Sequence, residues 1–263
     1  MYTIYRHEIR CNLKTLLIWF LCVGGLGFAC ILLFSGMQEE MAQMADGFSS
    51  MGAFSDAFGM STLSIGTLVG YYATEIGTIH GLGGSMFAAI LATTMLSKEE
   101  DAHTSEFLFS LPVSRFKIVL AKWLAVMTHI IAFNLLCVAL YAAGFFLVGE
   151  QLPTHEFLLY HSMQIMLHTQ LAALCFCVSA FLKKNKLGLG LGIVMLFYAY
   201  DLMARIIPDL SDVMFLSPFS YANAADILSS GEVPAEAAVL GICVLAGSVI
   251  VAFARFLKRD LAA

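Results

Sequence analysis

Six long apolar segments decide what this chain of 263 residues can fold into. They cover residues 15–36, 77–96, 118–148, 157–182, 187–207 and 237–257. A bilayer core about 30 Å thick is crossed by about 20 residues of α-helix, and backbone inside lipid must satisfy its own hydrogen bonds. We therefore predict an all-α membrane protein, a bundle of six transmembrane helices that forms one domain over residues 1–263.

The composition excludes several other classes of protein. The chain is 60% hydrophobic and 13% charged, whereas a soluble domain carries about 25% charged residues. This excludes an ordinary soluble enzyme, and the lack of a basic surface excludes a nucleic-acid binder. The seven cysteines lie in or beside apolar segments without a C-x-x-C motif, so we interpret them as small apolar residues and predict no metal site. The first segment is expected to remain as a span, because no small-residue cleavage site follows a short apolar core.

The basic residues predict the orientation of the spans. With the N-terminus in the cytosol, the inner segments hold 13 of the 14 lysine and arginine residues, and only Arg205 is outside. The outer segments 37–75, 149–156 and 208–236 hold twelve acids and no basic residue. Because cytoplasmic loops carry the excess of lysine and arginine, both termini are predicted to be cytosolic.

Residues 1–13 have the pattern of an amphipathic helix. The apolar residues Tyr2, Tyr5 and Ile9 follow one another at helical spacing, and Arg6 and Arg10 lie between them. We predict a helix in the inner membrane interface whose arginines face anionic lipid headgroups. The alternative is a frayed basic tail.

The segment between the second and third spans, residues 97–117, is unusually apolar for a short cytosolic loop. It begins with three acids, Glu99, Glu100 and Asp101, and continues with Phe107, Leu108, Phe109 and Leu111. Acids are favoured near a helix N-terminus, and Pro112 ends the helix because the residue before a proline avoids helical angles. We predict a short helix over residues 104–111 whose apolar face packs on its own bundle, the lipid or a second protein.

This segment resembles the first cytosolic loop of ABC type-2 permeases. The sequence EDAHTSEFLFSLPVSR at residues 100–115, followed by Lys122, matches that family's acid, threonine, glutamate, hydrophobic pair and L-P-V-S-R. The six spans, the N-terminal helix and the S-P-F sequence at residues 217–219 extend the resemblance over the chain. Ala102 and His103 replace the family's usual basic residue and glycine. Among compact permeases, the chain is also similar to exporters of phenol-soluble modulins and antimicrobial peptides.

The resemblance implies a transporter of the bacterial cytoplasmic membrane in which two six-span subunits, as a homodimer, each dock a separate ATPase subunit. Residues 104–111 would be the coupling helix in a groove of the ATPase, with Glu99, Glu100, Glu106 and Arg115 paired to its rim. The implied docking residues are Glu99, Glu100, Thr104, Glu106, Phe107, Leu108, Phe109, Leu111, Pro112 and Arg115. ATP and Mg²⁺ would bind the ATPase, because no G-x-x-x-x-G-K-[ST] occurs in this sequence. ATP binding would then tip the bundles between inward-open and outward-open states.

The family resemblance also implies that the first, second and fifth spans face the dimer axis and the translocation path, and that the second and fifth spans line this path. The implied residues are Gly77, His80, Gly81, Met86, Phe87, Ile90, Gly188, Gly192, Met195, Phe197, Tyr198, Asp201 and Arg205. Asp201 and Arg205 are four residues apart, so we expect an ion pair, with a gate or a substrate contact as the alternative. His161, Gln164 and His168 share one face of the fourth span, and hydrogen bonding between helices is the expected role.

An apolar path suits hydrophobic or amphipathic cargo. We therefore expect an ABC exporter of amphipathic peptides, such as toxins, bacteriocins or antimicrobial peptides, for export and self-immunity. The alternative cargo is a lipid, a drug or another small hydrophobic compound. An ion-coupled secondary transporter and an intramembrane enzyme are the competing classes, but the sequence lacks inverted repeats, H-E-x-x-H, G-x-S-x-G and paired intramembrane aspartates.

Overall fold

The computed structural model describes residues 1–110 and 112–259, except for the side chain of Phe109; Leu111 of the predicted coupling helix lies outside the described residues. Within this part, six helices are long and apolar enough to cross a membrane, which confirms the predicted class of fold. They are α1 (Tyr2–Ser49), α3 (Leu68–Thr93), α6 (Arg115–Val148), α7 (Thr154–Ser179), α8 (Leu187–Ile206) and α11 (Ala235–Lys258). Shorter helices lie between them: α2 (Ala53–Phe58), α4 (Lys98–Asp101), α5 (Ser105–Ser110), α9 (Pro208–Ser211) and α10 (Ala224–Ser230).

The first helix differs from the prediction. Residues 1–13 do not form a separate interfacial helix, because helical backbone continues through a π-helical segment at Phe20–Gly25 to Ser49. Its buried face at this end carries Ile4 and Glu8, whereas Tyr2 is exposed. The physical reason is that Glu8 finds buried cationic partners on neighbouring elements, which turns this face toward α6. Tyr5 and Ile9 are half-buried, and Arg6 and Arg10 are exposed.

The second span begins earlier than the predicted residue 77. Residues 68–76 are helical and include a π-helical segment at Tyr72–Ile76. The Tyr72 ring is buried against Tyr141 and Phe145, with ring centroids 5.8 and 5.4 Å apart. Burial of a large aromatic ring stabilises this extra helix, although the glycines that follow weaken its hydropathy signal.

Helices α3 and α7 form the centre of the bundle. They pack along each other, α7 also packs along α11, α1 packs along α6, and α8 packs along α3. In the most apolar stretch of each helix, 67% of α3 and 61% of α7 is buried, against 28% of α1 and 22% each of α8 and α11. The peripheral helices therefore present apolar faces for lipid or for another subunit.

Candidate functional site

The loop between α3 and α6 forms two short helices at the end of the bundle that carries most of the basic residues, here called the basic end. Helix α4 is followed by a turn in which His103 has a φ of +53°, and α5 begins directly after Thr104. The amide of Thr104 donates to the carbonyl of Glu99 at 2.8 Å and closes this turn. The observed helix lies within the predicted residues 104–111.

Helix α5 has one face on the bundle and one face in solvent. Leu108 packs against a small apolar cluster of Ile4, Ile118 and Ala121. Phe107 has 74% of its surface exposed. Glu106, Ser110, Thr104 and Pro112 are exposed as well. An exposed phenylalanine on an anchored helix is available to a protein partner, since large exposed apolar side chains mark interaction surfaces when they are contiguous.

A buried ion cluster holds α4 in place. The Lys122 ammonium, on α6, donates to Glu8 Oε1 at 3.1 Å and to the Met95 carbonyl at 2.8 Å. It also pairs with Glu99, and Lys98 pairs with the other oxygen of Glu8. We call Glu8, Lys98, Glu99 and Lys122 the ion cluster. Its two acids and two bases balance in charge, as a buried arrangement requires.

A second buried pair joins α4 to the end of α11. Glu100 pairs with Arg259, which also donates to the Ala180 carbonyl at 3.0 Å. Arg115 donates to the Arg259 carbonyl at 2.8 Å. Glu99, Glu100 and Arg115 are engaged within the subunit, and their predicted pairing with an ATPase rim stays a prediction. Glu106 is the predicted acid that remains exposed.

A groove of about 640 Å³ lies between the N-terminal turns of α1 and the two loop helices. Phe107 and Leu108 form one wall, and His7 and Lys98 lie on its lining as well. The groove is lined by both apolar and charged side chains.

A comparison with known protein families identifies the family of this chain. The family described as ABC-2 family transporter protein matches residues 2–261. The chain belongs to the ABC-2 transporter family. It is a membrane-spanning permease subunit of an ABC transporter, and the family implies an ATPase partner and a membrane context. A comparison with curated proteins finds no match.

The predicted path residues of this ABC-2 permease lie in different environments. Phe87 and His80 lie in the core of the subunit, so they do not line a surface as predicted. Phe87 packs between Trp19 of α1 and Phe133 of α6, with ring centroids 6.4 and 5.0 Å away. Gly83 beside it allows α1 to approach, since a methyl group there would lie 2.6 Å from Val23. The residues at or near the bundle surface are Met86, Ile90, Gly188, Gly192, Met195, Phe197 and Tyr198.

Three histidines of the permease, His80, His161 and His168, are part of a buried polar network in its core. The hydroxyl of Tyr72 lies 2.8 Å from His161 Nε2, which links α3 to α7. Asn134 on α6 lies 3.1 Å from a ring nitrogen of each of His80 and His168. The expected hydrogen bonding between helices is present. Among the described residues, no group of three or more His, Cys, Asp or Glu side chains is arranged to hold a metal ion.

The opposite end of the bundle, rich in acids, contains the expected pair and one further acid. Arg205 Nε donates to Asp201 Oδ2 at 2.9 Å, and Arg205 Nη1 donates to Asp226 Oδ2 at 3.0 Å. Sequence reasoning missed Asp226, since it lies on α10 outside the spans. It also missed Glu8 and Lys122, although an acid and a lysine within apolar helical faces were a usable signal.

Four predicted path residues meet at this end. Gly77, Gly81, Tyr198 and Asp201 line one cavity of about 50 Å³ between α3 and α8. Residues 219 and 222–225 of the segment before α11 close it from the outer side, and Gln164 of α7 forms its inner wall. The spacing of glycines on α3 thus leaves room beside a buried carboxylate.

Proposed function

We propose that this permease docks its ATPase subunit through α5 and exports hydrophobic or amphipathic cargo, most simply an amphipathic peptide, as a homodimer. ATP and Mg²⁺ bind in the ATPase, and this chain needs no cofactor of its own. The bilayer is the bacterial cytoplasmic membrane, with the basic end in the cytosol. The observation that carries the docking role is the exposed Phe107 on a helix whose other face is anchored by Leu108.

Docking through this helix has a clear physical basis. A few buried aromatic side chains supply most of the binding energy of a protein interface. Phe107 is the aromatic side chain that α5 presents to solvent among its described side chains. Because α4 is held by the ion cluster and by Arg259, the helix that follows it has a firm base. Movement of a docked ATPase would therefore reach the spans.

The apolar character of the proposed path supports the proposed cargo. Along α8 and the neighbouring face of α3, the accessible side chains include Met86, Ile90, Met195 and Phe197. Methionine adapts its shape to different apolar partners, and such surfaces accept varied ligands. A lipid or another small hydrophobic compound is the alternative cargo. ATP-dependent uptake into inside-out proteoliposomes, measured for an amphipathic helical peptide and for a fluorescent phospholipid, separates the two.

The docking role is tested by Phe107→Asp in the permease co-expressed with its ATPase subunit. We expect at least about a tenfold loss of co-purified ATPase, since a central interface aromatic contributes about 2 kcal/mol or more. Tyr2→Asp is the matched control, because Tyr2 is an aromatic of similar exposure, 72% against 74%, at the same end. The control should retain the ATPase. Undiminished pairing of Phe107→Asp would refute docking through α5.

A further inference from the structure

The cavity beside Asp201 has features of a binding site. Asp201 and Gln164 are 4% and 2% exposed, and both line the cavity. Within the described residues, neither Asp201 Oδ1 nor Gln164 Oε1 has a hydrogen-bond partner. Ser217 lies beside the Asp201 carboxylate, but its hydroxyl donates to the Phe197 carbonyl at 3.5 Å. Buried polar atoms are nearly always paired, so two unpaired acceptors in one cavity indicate a ligand.

The orientation of both acceptors is fixed by their other bonds. The amide nitrogen of Gln164 donates to the Ala222 carbonyl at 2.7 Å, and the amide oxygen has no partner among the described residues. A methyl group at Gly81 would lie 3.6 Å from that oxygen, so the oxygen borders the space beside Gly81. Asp201 uses Oδ2 for Arg205, and Oδ1 is left. The site therefore offers two acceptors from two different helices.

The charge of the site selects the kind of ligand. Asp201 and Asp226 carry two negative charges, and Arg205 supplies one positive charge to both. Arg205 does not line the cavity, and Asp201 is the charged residue among those that do. A neutral donor such as water would satisfy the two oxygens but would not neutralise Asp201, which shares Arg205 with Asp226. A compact cation with several N–H donors satisfies both requirements.

We propose that this cavity binds the primary ammonium group of a molecule that enters between α3 and α8. The inference rests on the proposed function, since it names a chemical feature of the cargo for the same path. A cavity of about 50 Å³ has room for an ammonium and its adjoining carbon. The amine of an amphipathic peptide and the headgroup of phosphatidylethanolamine share this chemistry.

The test measures binding of hexylammonium and of hexanol to the purified permease–ATPase complex by calorimetry. We expect Asp201→Asn to weaken hexylammonium binding about tenfold, because a charge-assisted hydrogen bond and a counter-charge are lost, and to leave hexanol binding unchanged. Asp226→Asn is the matched control, since it removes the same charge from the same arginine but not from the cavity. It should weaken binding less than about threefold.

A second variant tests the same cavity independently, should Asp201→Asn fail to fold. Gly81→Ala adds a methyl group at ordinary contact distance from Gln164, so it narrows the cavity without a clash. Gly247→Ala is its control, because nothing lies within 4 Å of a methyl group there. We expect only Gly81→Ala to weaken hexylammonium binding.

The outcomes separate this inference from the proposed function. Equal binding of hexylammonium and hexanol, equal effects of the two aspartate variants, or displacement of hexylammonium by equimolar Na⁺ would overturn the ammonium site even if α5 docks the ATPase. Loss of ATPase docking would not affect this result, because the same measurement is also made on the purified permease without the ATPase. Nanodiscs identify the source: competition by phosphatidylethanolamine, relative to phosphatidylglycerol, supports a lipid headgroup, and its absence supports cargo, with the ammonium site standing in both cases.

Discussion

Replacement of Lys122 by methionine tests whether the ion cluster holds the docking helix. Lys122 is buried, and its ammonium contacts Glu8, Glu99 and the Met95 carbonyl. Methionine keeps the apolar stem and removes the charge. Glu99 then loses its cation, whereas Glu8 keeps Lys98. Removal of one member of a buried ion pair costs about 3–5 kcal/mol, and the remaining Glu8–Lys98 pair places this case at the lower end.

A loss of about 3 kcal/mol corresponds to a fall in melting temperature of roughly 6–12 °C for a chain of this length. Thermal unfolding of the detergent-solubilised permease measures it through tryptophan fluorescence, since Trp123 lies next to Lys122 and packs on Phe176. Lys117→Met is the matched control, because Lys117 is exposed on the same helix. Its effect should stay within about 0.5 kcal/mol.

A double variant separates the ion cluster from simple loss of a side chain. When Glu99→Gln is combined with Lys122→Met, both charges of one contact disappear together, and we expect the double variant to be more stable than the sum of the single losses by about 1–3 kcal/mol. Additive losses, or a Lys122→Met variant as stable as Lys117→Met, would show that these side chains do not form one network. The base proposed for the docking helix would then have no support.

Two further predictions concern packing and pairing of subunits. Gly190→Ala should destabilise the permease by about 1–3 kcal/mol, because its methyl group would overlap Thr93 of α3. Gly192→Ala should be nearly neutral in a monomeric detergent preparation, since nothing lies within 4 Å of a methyl group there. Equal melting temperatures of the two variants would contradict the α3–α8 contact. Single-cysteine permeases test the homodimer. Cys22 on α1 should form a cross-linked dimer with a short thiol reagent, because the family resemblance implies that the first span faces the dimer axis, and Cys243 on α11 should not, although both are exposed. Cross-linking through Cys243 alone would place the subunit interface elsewhere.

The sequence predicted the parts of the fold that depend on local composition. Six apolar segments of sufficient length predicted six helices, and Pro112 with the apolar run before it predicted α5 to within a residue or two at each described end. The start of α3 was missed because Tyr72 gains its stability from rings on α6 and α7. Hydropathy along one segment carries no information about such contacts.

The roles of the loop acids could not be predicted, for a related reason. Glu99 and Glu100 look like surface charges in sequence, but their partners Lys122 and Arg259 lie 23 and 159 residues away. Similarly, the glycines at 188 and 192 have the spacing of a close helix contact, yet Gly190 between them makes the contact with Thr93. Which face of a helix is buried depends on the neighbours that surround it, and the sequence alone does not supply their arrangement.

These long-range contacts determine how the loop between α3 and α6 would respond to a force from the proposed ATPase partner. Helix α4 is bound to three other elements. It contacts α1 through Lys98 and Glu8, α6 through Lys122, and the end of α11 through Arg259. The residues before it are fixed as well, since Ser97 bonds Asn185 at 3.1 Å and the Leu96 amide bonds Ser179 at 2.9 Å. Displacement of α4 would therefore break buried ion pairs unless the cytosolic ends of these spans move with it. Because breaking such pairs is costly, a force applied at α5 favours concerted movement of the spans over local movement of the loop.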